Sequence, residues 1–490
     1  MAPAVSWAQG ASLVKDINPG AGDGFLDLFV PTDPPFIAFS FMVDLDGTLL
    51  FAASDGVHGF ELWRSDGSSI GTSMVADLVP GPGSGFEIVN QTALVVGGKA
   101  FFKMRTEEAG VELWASDGSA AGTHLLRDLR PGPLSSGVGD LTAVGDLLFF
   151  RASDGSHPSA LWVSDGSTTG TRLVSDGTSP ALNSVNALAR FGDRLVFSYD
   201  DGIHGREPWV SDGSEAGTFM IADGEPGPSG SRPVSFREVG EFLLFSASTS
   251  FLLDRELWRS DGTAAGTSRL LDIWPGTMGS APTNLTVVGD RLFFTAESDD
   301  ITQRELWVSD GTAAGTTLVR DIHPAGSSLP TFLTELAGLL FFTADDGVHG
   351  HELWQSDGTE VGTFMVADIH PGPESSHPGE KFAVGQELFF AATDADHGEE
   401  LWSSNGSEAG TLLVADIQPG TAAASIRFWT PASGSLFFAA NDGTRGLELF
   451  TLGSIPVVDI PALSWTGIAL LVCALGAFGC LRLVRQRRVV

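Results

Sequence analysis

The groups through which this chain could do chemistry are carboxylates and histidines that recur in short, similarly written loops. These loops read Ser54-Asp55-Gly56-Val57-His58-Gly59, Asp200-Asp201-Gly202-Ile203-His204-Gly205, Asp345-Asp346-Gly347-Val348-His349-Gly350 and Asp394-Ala395-Asp396-His397-Gly398. The acidic pairs Asp345/Asp346 and Asp394/Asp396 supply hard oxygen ligands of the kind Ca²⁺ takes. They lack the full spacing of a known calcium loop, so solvated turn carboxylates are the competing reading. The histidines come one to a loop, without a His-x-x-x-His or cysteine partner, which argues against zinc. Calcium is therefore the only cofactor these loops suggest. The ligand-binding candidates are His58, Asp200, Asp201, His204, Asp345, Asp346, His349, Asp394, Asp396 and His397.

Catalytic signatures are thin. No phosphate-binding Gly-rich loop of the P-loop type occurs. A sialidase-like site would need a tyrosine nucleophile and an arginine cluster, and the one tyrosine, Tyr199, falls inside a strand. No residue is assigned a catalytic role.

The elements that carry these loops are repeats. Glu305-Leu306-Trp307-Val308-Ser309-Asp310-Gly311-Thr312 recurs with its aromatic at Trp63, Trp114, Trp162, Trp209, Trp258, Trp307, Trp354, Trp402 and Phe450, in steps of 47 to 51 residues. A fixed step of this size marks an array of small supersecondary units. Each unit holds four short β-rich runs separated by Gly/Asp turns, which predicts a four-stranded antiparallel meander. The second run carries adjacent aromatics, as at Phe293-Phe294 and Phe341-Phe342, which point to opposite faces. A sheet that is apolar on both sides must be sandwiched between copies of itself. Radial stacking of such units closes into a β-propeller.

The two ends of the array complement each other. Leu13 to Ile17 reads as a fourth strand with no first three, and the Phe450 unit has three strands and no fourth. The expected fold is all-β, a propeller of about nine four-stranded blades closed by the N-terminal strand, plus one C-terminal transmembrane helix. The expected segments are a signal-peptide remnant or disordered stretch at 1–11, the array at 12–453, a linker with a sorting motif at 454–463, the helix at 464–484 and a basic tail at 485–490.

Composition narrows the partners. With 61 acidic against 27 basic residues the net charge is −34, and a phosphate backbone would be repelled, so nucleic acid is excluded. From Trp465 to Leu481 no residue is charged, and Arg482, Arg485, Arg487 and Arg488 follow, which predicts a single-pass span with the arginines cytoplasmic and the array on the extracellular face. Met1 to Ala11 has no basic n-region and only a short apolar stretch, so translation is expected to start further upstream.

The Glu-Leu-Trp-x-Ser-Asp-Gly-Thr text resembles the ELWxxDGT repeat family of bacterial surface and secreted proteins. Ala160, Pro208, Asn405 and the Phe450 copy depart from its pattern. The resemblance implies a propeller-like extracellular protein and no particular reaction. Ile460-Pro461-Ala462-Leu463 and the apolar run after it resemble sorting signals of the IPTL and PEP types, with Ala462 where threonine is expected. That likeness implies a membrane sorting protease as a partner, and release of the array after processing. The expected role is a non-enzymatic cell-surface or secreted propeller that contacts a protein or glycan through the loop face. The alternatives are a carbohydrate-active hydrolase or lyase using acidic loop residues, or a structural envelope component.

Overall fold

A computed structural model describes residues 10–453 apart from 21, 26–28, 31–35, 38–40, 87–91, 176–184, 250–253, 277 and 299–302. Nine four-stranded antiparallel sheets follow one another along the chain. Blade 6 is representative, with strands Thr283–Val288, Arg291–Glu297, Arg304–Ser309 and Thr317–Arg320. The others span 42–76 (blade 1), 93–125 (2), 139–175 (3), 186–220 (4), 234–271 (5), 331–367 (7) and 382–415 (8). Blade 9 is composite: three strands come from 427–452, and the fourth is Ser12–Lys15, paired antiparallel with Leu447–Leu452. A separate two-stranded pair, Phe29–Val30 with Phe36–Ile37, lies outside the blades.

The expected propeller is therefore observed, with its N-terminal strand closing the ninth blade. The expected transmembrane helix is not supported. Among the described residues no helix is long and apolar enough to cross a membrane, and the sole helical turn is a 3-10 turn at Glu408–Gly410. The segment on which that helix was placed, 464–484, lies outside the described residues, as do 1–9 and the sorting-like motif. The apolar run had been read by length and lack of charge alone, and those two properties do not oblige a chain to form a helix.

Nine buried apolar clusters lie between neighbouring blades, one for each junction of a closed ring of nine. The second strand supplies both sides of a blade: Phe293 packs with Leu340 and Phe342 of blade 7, whereas Phe294 packs with Leu244 and Leu257 of blade 5. Both rings are fully buried. The closing junction joins Phe437, Leu449 and Val14 of blade 9 to Leu49, Phe51 and Trp63 of blade 1. Lys15 reinforces it, donating from Nζ to the Thr72 carbonyl at 2.7 Å with the ammonium 5.9 Å from the Trp63 ring. Arg127 and Arg320 repeat that contact on the next blade's Thr171 and Thr363.

Two devices explain the repeated text. In Ser-Asp-Gly-Ser/Thr-x-x-Gly-Thr, which forms the turn between strands three and four, Asp310 Oδ1 accepts the amide and hydroxyl of Thr312, Thr312 Oγ1 accepts the Gly315 amide, and Ser309 bonds Thr316 across the turn. A Cβ on Gly315 would lie 2.1 Å from Asp310 Oδ1, so the second glycine is required by the close approach of that carboxylate.

The other device is the glutamate of Glu-Leu-Trp. Its carboxylate is buried beneath the crossover that leaves the blade and accepts that crossover's amides. Glu352 takes Ile369 N and Ser376 N at 2.9 Å each, and Glu256 takes Ile273, Trp274 and Ser280. Glu448 takes Ile17 N at 2.7 Å and Asn18 N at 3.2 Å, so the same device ties the N-terminal strand into the ring. Burial outweighs these donors and pushes Glu61, Glu112 and Glu448 up to about 7 and Glu400 up to about 6.

Replacing Glu448 with alanine strands two amides at the closing junction and should lower stability by about 1–3 kcal/mol. An unfolding midpoint equal to that of the parent would show that the junction does not need the carboxylate. A carboxyl whose folded pKa lies above its unfolded value stabilises below the unfolded pKa and loses that contribution as pH rises through the folded one. Calorimetry at fixed ionic strength should therefore show the midpoint falling between pH 4.5 and 7.5. Glu61→Gln combined with Glu112→Gln should flatten the fall, and a midpoint rising over that window would contradict the assignment.

Candidate functional site

In a four-stranded meander the loops between strands two and three share one end of the blade with the crossovers, and the two kinds of tight turn share the other. All ten ligand-binding candidates lie at the crossover end. There they are wired in one recurring pattern. In blade 4, Asp201 Oδ1 accepts the Ile203 and His204 amides at 2.9 and 2.8 Å, and its Oδ2 lies 2.7 Å from His204 Nδ1. Asp346 and His349 repeat this in blade 7, Asp55 and His58 in blade 1, and Asp394 and His397 in blade 8, with Oδ2 to Nδ1 at 2.8 Å in each.

The outer acid of each pair does something different. Asp200 and Asp345 accept the amides of Gly202 and Gly347, the task Ser54 performs for Gly56 in blade 1. Asp396 contributes its amide to Asp394 and is itself exposed. The acidic pairs of blades 4 and 7 are thus two stacked turn caps, with each carboxylate bonded to its own loop.

Two members of this set are missing from the sequence reading. Asp154 and His157 form the same pair in blade 3, at 2.7 Å, and Asp442 with Arg445 replaces it in blade 9. The Asp-Gly-x-His spacing of Asp154-Gly155-Ser156-His157 would have found the former, and aligning the ninth repeat on its Asp442-Gly443 turn would have found the latter. Among the described residues, six blades accordingly hold a cationic or imidazole side chain against a turn carboxylate at one structural position.

Each pair is electrically matched. The hydrogen bond to aspartate raises His58, His204, His349 and His397 above the ordinary imidazole value. Burial works to raise Asp201 and Asp346, but the amides and imidazole they hold together prevail and keep both below the usual carboxylate range. Nδ1 faces the aspartate, which leaves Nε2 as the ring atom available to a partner. Among the described residues no hydroxyl or thiol is hydrogen-bonded to these Nε2 atoms, so the pairs stand without the nucleophile that a catalytic triad adds.

Three carboxylates come within mutual ligand distance at one place among the described residues: Asp254, Glu256 and Asp272 of blade 5. Arg269 already lies against two of them, 3.3 Å from Asp254 and 3.4 Å from Asp272, and Glu256 is taken up by the crossover amides. A metal ion there would have to displace that guanidinium.

A cavity of about 260 Å³ opens at the crossover end of blade 7, lined by Leu329, Thr331, Phe332, Thr343, His351, His377 and Pro378. The two imidazoles stack with centroids 5.6 Å apart. Leu329, Phe332 and His377 all adopt left-handed backbone, at φ 46°, 52° and 46°, a conformation costly for such side chains. Behind Phe332 lies Lys381, its Nζ 5.5 Å from the ring centroid and hydrogen-bonded to Thr343 Oγ1 at 2.7 Å and to the Gly379 carbonyl at 3.1 Å. Burial pushes this ammonium down to about 7.

No family model matches the chain, and no curated protein sequence is similar to it. Solved structures resemble the chain at low identity. A puromycin hydrolase is 14% identical over 71% of this chain and 57% of its own length, with a TM-score of 0.38. A puromycin-hydrolyzing peptidase of Mycobacterium tuberculosis is 12% identical over 72% and 57%, also at 0.38. BamB from Moraxella catarrhalis is 13% identical over 74% and 95%, at 0.39. This chain spans little more than half the length of the two hydrolases.

Proposed function

We propose that this protein is a non-catalytic binding propeller that contacts a protein or glycan partner through its crossover face. The observation that carries this reading is repetition. Asp–His or Asp–Arg pairs stand at equivalent places on blades 1, 3, 4, 7, 8 and 9, which distributes similar groups over a broad surface. Catalysis requires convergence of unlike groups on one reacting atom, whereas recognition of an extended partner is served by like groups at intervals. The opposite face is built from tight turns whose polar atoms satisfy one another, as the Ser309 to Thr316 turn shows. Loops held on a rigid scaffold are where recognition is usually placed.

The full chain should bind in a glycan array or in cross-linking to envelope proteins. His204→Gln with His349→Gln should weaken that binding about tenfold or more, while Asp146→Ser with Asp193→Ser on the opposite turns should leave it unchanged. Equal loss from both pairs would remove the face assignment. A hydrolysis screen should show no turnover; turnover abolished by Asp345→Asn would instead establish the hydrolase alternative.

A further inference from the structure

Nine copies of one unit allow each structural position to be compared with its own equivalents. At the residue just before the buried glutamate position, blades 1 to 9 carry Phe60, Val111, Ser159, Arg206, Arg255, Arg304, His351, Glu399 and Leu447. Four consecutive blades, 4 to 7, hold a basic or imidazole side chain there, and none of the others does. The fold does not ask for one, since Phe60 and Leu447 start the same strand. In a chain of net charge −34 such a run needs another cause.

The crossovers add to the same arc. Arg232, on the way from blade 4 to blade 5, donates its amide to the Arg206 carbonyl at 2.8 Å, and its own carbonyl accepts Arg255 Nη2 at 3.0 Å. Three arginines thus meet at one junction. Arg255 otherwise bonds to Ser246, and Arg232 Nε to the Ser229 carbonyl, so neither is ion-paired with a carboxylate among the described residues. Burial, joined by repulsion from Arg232, lowers Arg255 below the ordinary guanidinium value. In blade 6 Glu297 pairs with Arg304 at 2.6 Å. Blade 7 ends the arc with the His351–His377 stack and the cavity.

That cavity also departs from its equivalents. The left-handed positions that open blade 7 carry Leu329 and Phe332, about half exposed, whereas blade 6 has Ala281 and Asn284 and blade 5 has Arg232 and Ser235. An exposed apolar ring and an imidazole pair flank a space of about 260 Å³, with Lys381 behind it. Pockets for drug-sized ligands run from about 300 to 1,000 Å³, so this one suits a single ring-sized group.

We propose that the arc from Arg206 to His377 binds an acidic polysaccharide, with its carboxylates against Arg232 and Arg255 and one uronic acid residue seated on Phe332 and His377. The proposal deepens the binding reading above and depends on it. Guanidinium groups favour planar carboxylates, aromatic rings offer a face to the C–H side of a sugar, and a polymer explains why the cations extend over several blades.

The test is titration of the full chain with polygalacturonate, its neutral methyl ester and a single-stranded DNA of similar length. Polygalacturonate should bind in a salt-dependent manner, and the ester and the DNA should bind at least tenfold more weakly. Phe332→Ala and Arg232→Gln should each weaken binding about tenfold, and Asp193→Ser on the opposite turns should leave it unchanged. Phe332 is exposed, so its loss is not expected to unfold the blade, and the unfolding midpoint of each variant checks this. DNA or the ester binding as well as polygalacturonate, or indifference to both arc variants, would overturn the proposal. If polygalacturonate fails while another glycan or a protein is held in a manner sensitive to His204→Gln and His349→Gln, the proposal falls and the broader binding reading stands; if no partner of any class is held by this face, both fall.

Discussion

The structure depends on the second strand of each blade being apolar on both sides. A sheet with one wet face can end a stack, but a sheet with Phe293 on one side and Phe294 on the other cannot, because either end of an open stack would expose a row of aromatic rings to water. A closed ring is the arrangement in which every blade has two neighbours. The composite ninth blade follows from the same requirement: the strand Ser12–Lys15 covers an edge that would otherwise offer unpaired amides, and the junction it completes is packed like the other eight.

Packing alone would leave the blades free to slide, and the buried polar devices restrict this. A carboxylate placed under the crossover has a strong preference for position, because each amide it loses remains buried and unpaired. Glu207 holds Gly224, Glu225 and Ser231, and the Ser231 carbonyl in turn accepts the Ser248 amide at the end of the next blade's second strand. The glutamate therefore fixes the angle between neighbours as well as the loop it binds. Its cost is desolvation, seen in the raised pKa of Glu61, Glu112 and Glu448, and the ring carries that cost wherever the glutamate recurs.

Much of the architecture was legible because it is written repeatedly. Strand count, blade count and closure follow from text with period and orphan ends, and the tight turns follow from Asp-Gly. The role of the glutamate was only half legible: a hydrogen-bonding task could be expected, but its donors come from residues 17 to 24 positions onward, and not from the indole of the neighbouring tryptophan. The Asp–His pairs were visible as motifs, but their geometry was not, since the same letters could have turned outward as calcium ligands. The cavity was invisible, because the Leu329 to Phe332 stretch, His351 and His377 are separate in sequence and are brought together by the crossovers. The C-terminal span was not legible in the same way, since length and lack of charge do not by themselves specify a conformation, and 464–484 lies outside the described residues.

Repetition also changes what a single sequence can say about function. In an ordinary domain an arginine at a strand start has no control, and its presence could answer to folding or to a ligand. Here the same strand start exists nine times, and Phe60, Val111 and Leu447 show what the fold accepts there. Positions that hold the blade together are uniform around the ring, as are the buried glutamate, apart from Ala160, and the glycine of the Ser-Asp-Gly turn, apart from the Phe450 copy. Positions that vary in a contiguous block, such as Arg206, Arg255, Arg304 and His351, are free of that demand. A block confined to adjacent blades is what a partner touching one side of the ring would leave behind, because contact acts on neighbours in space, while the folding constraint acts on all nine blades alike.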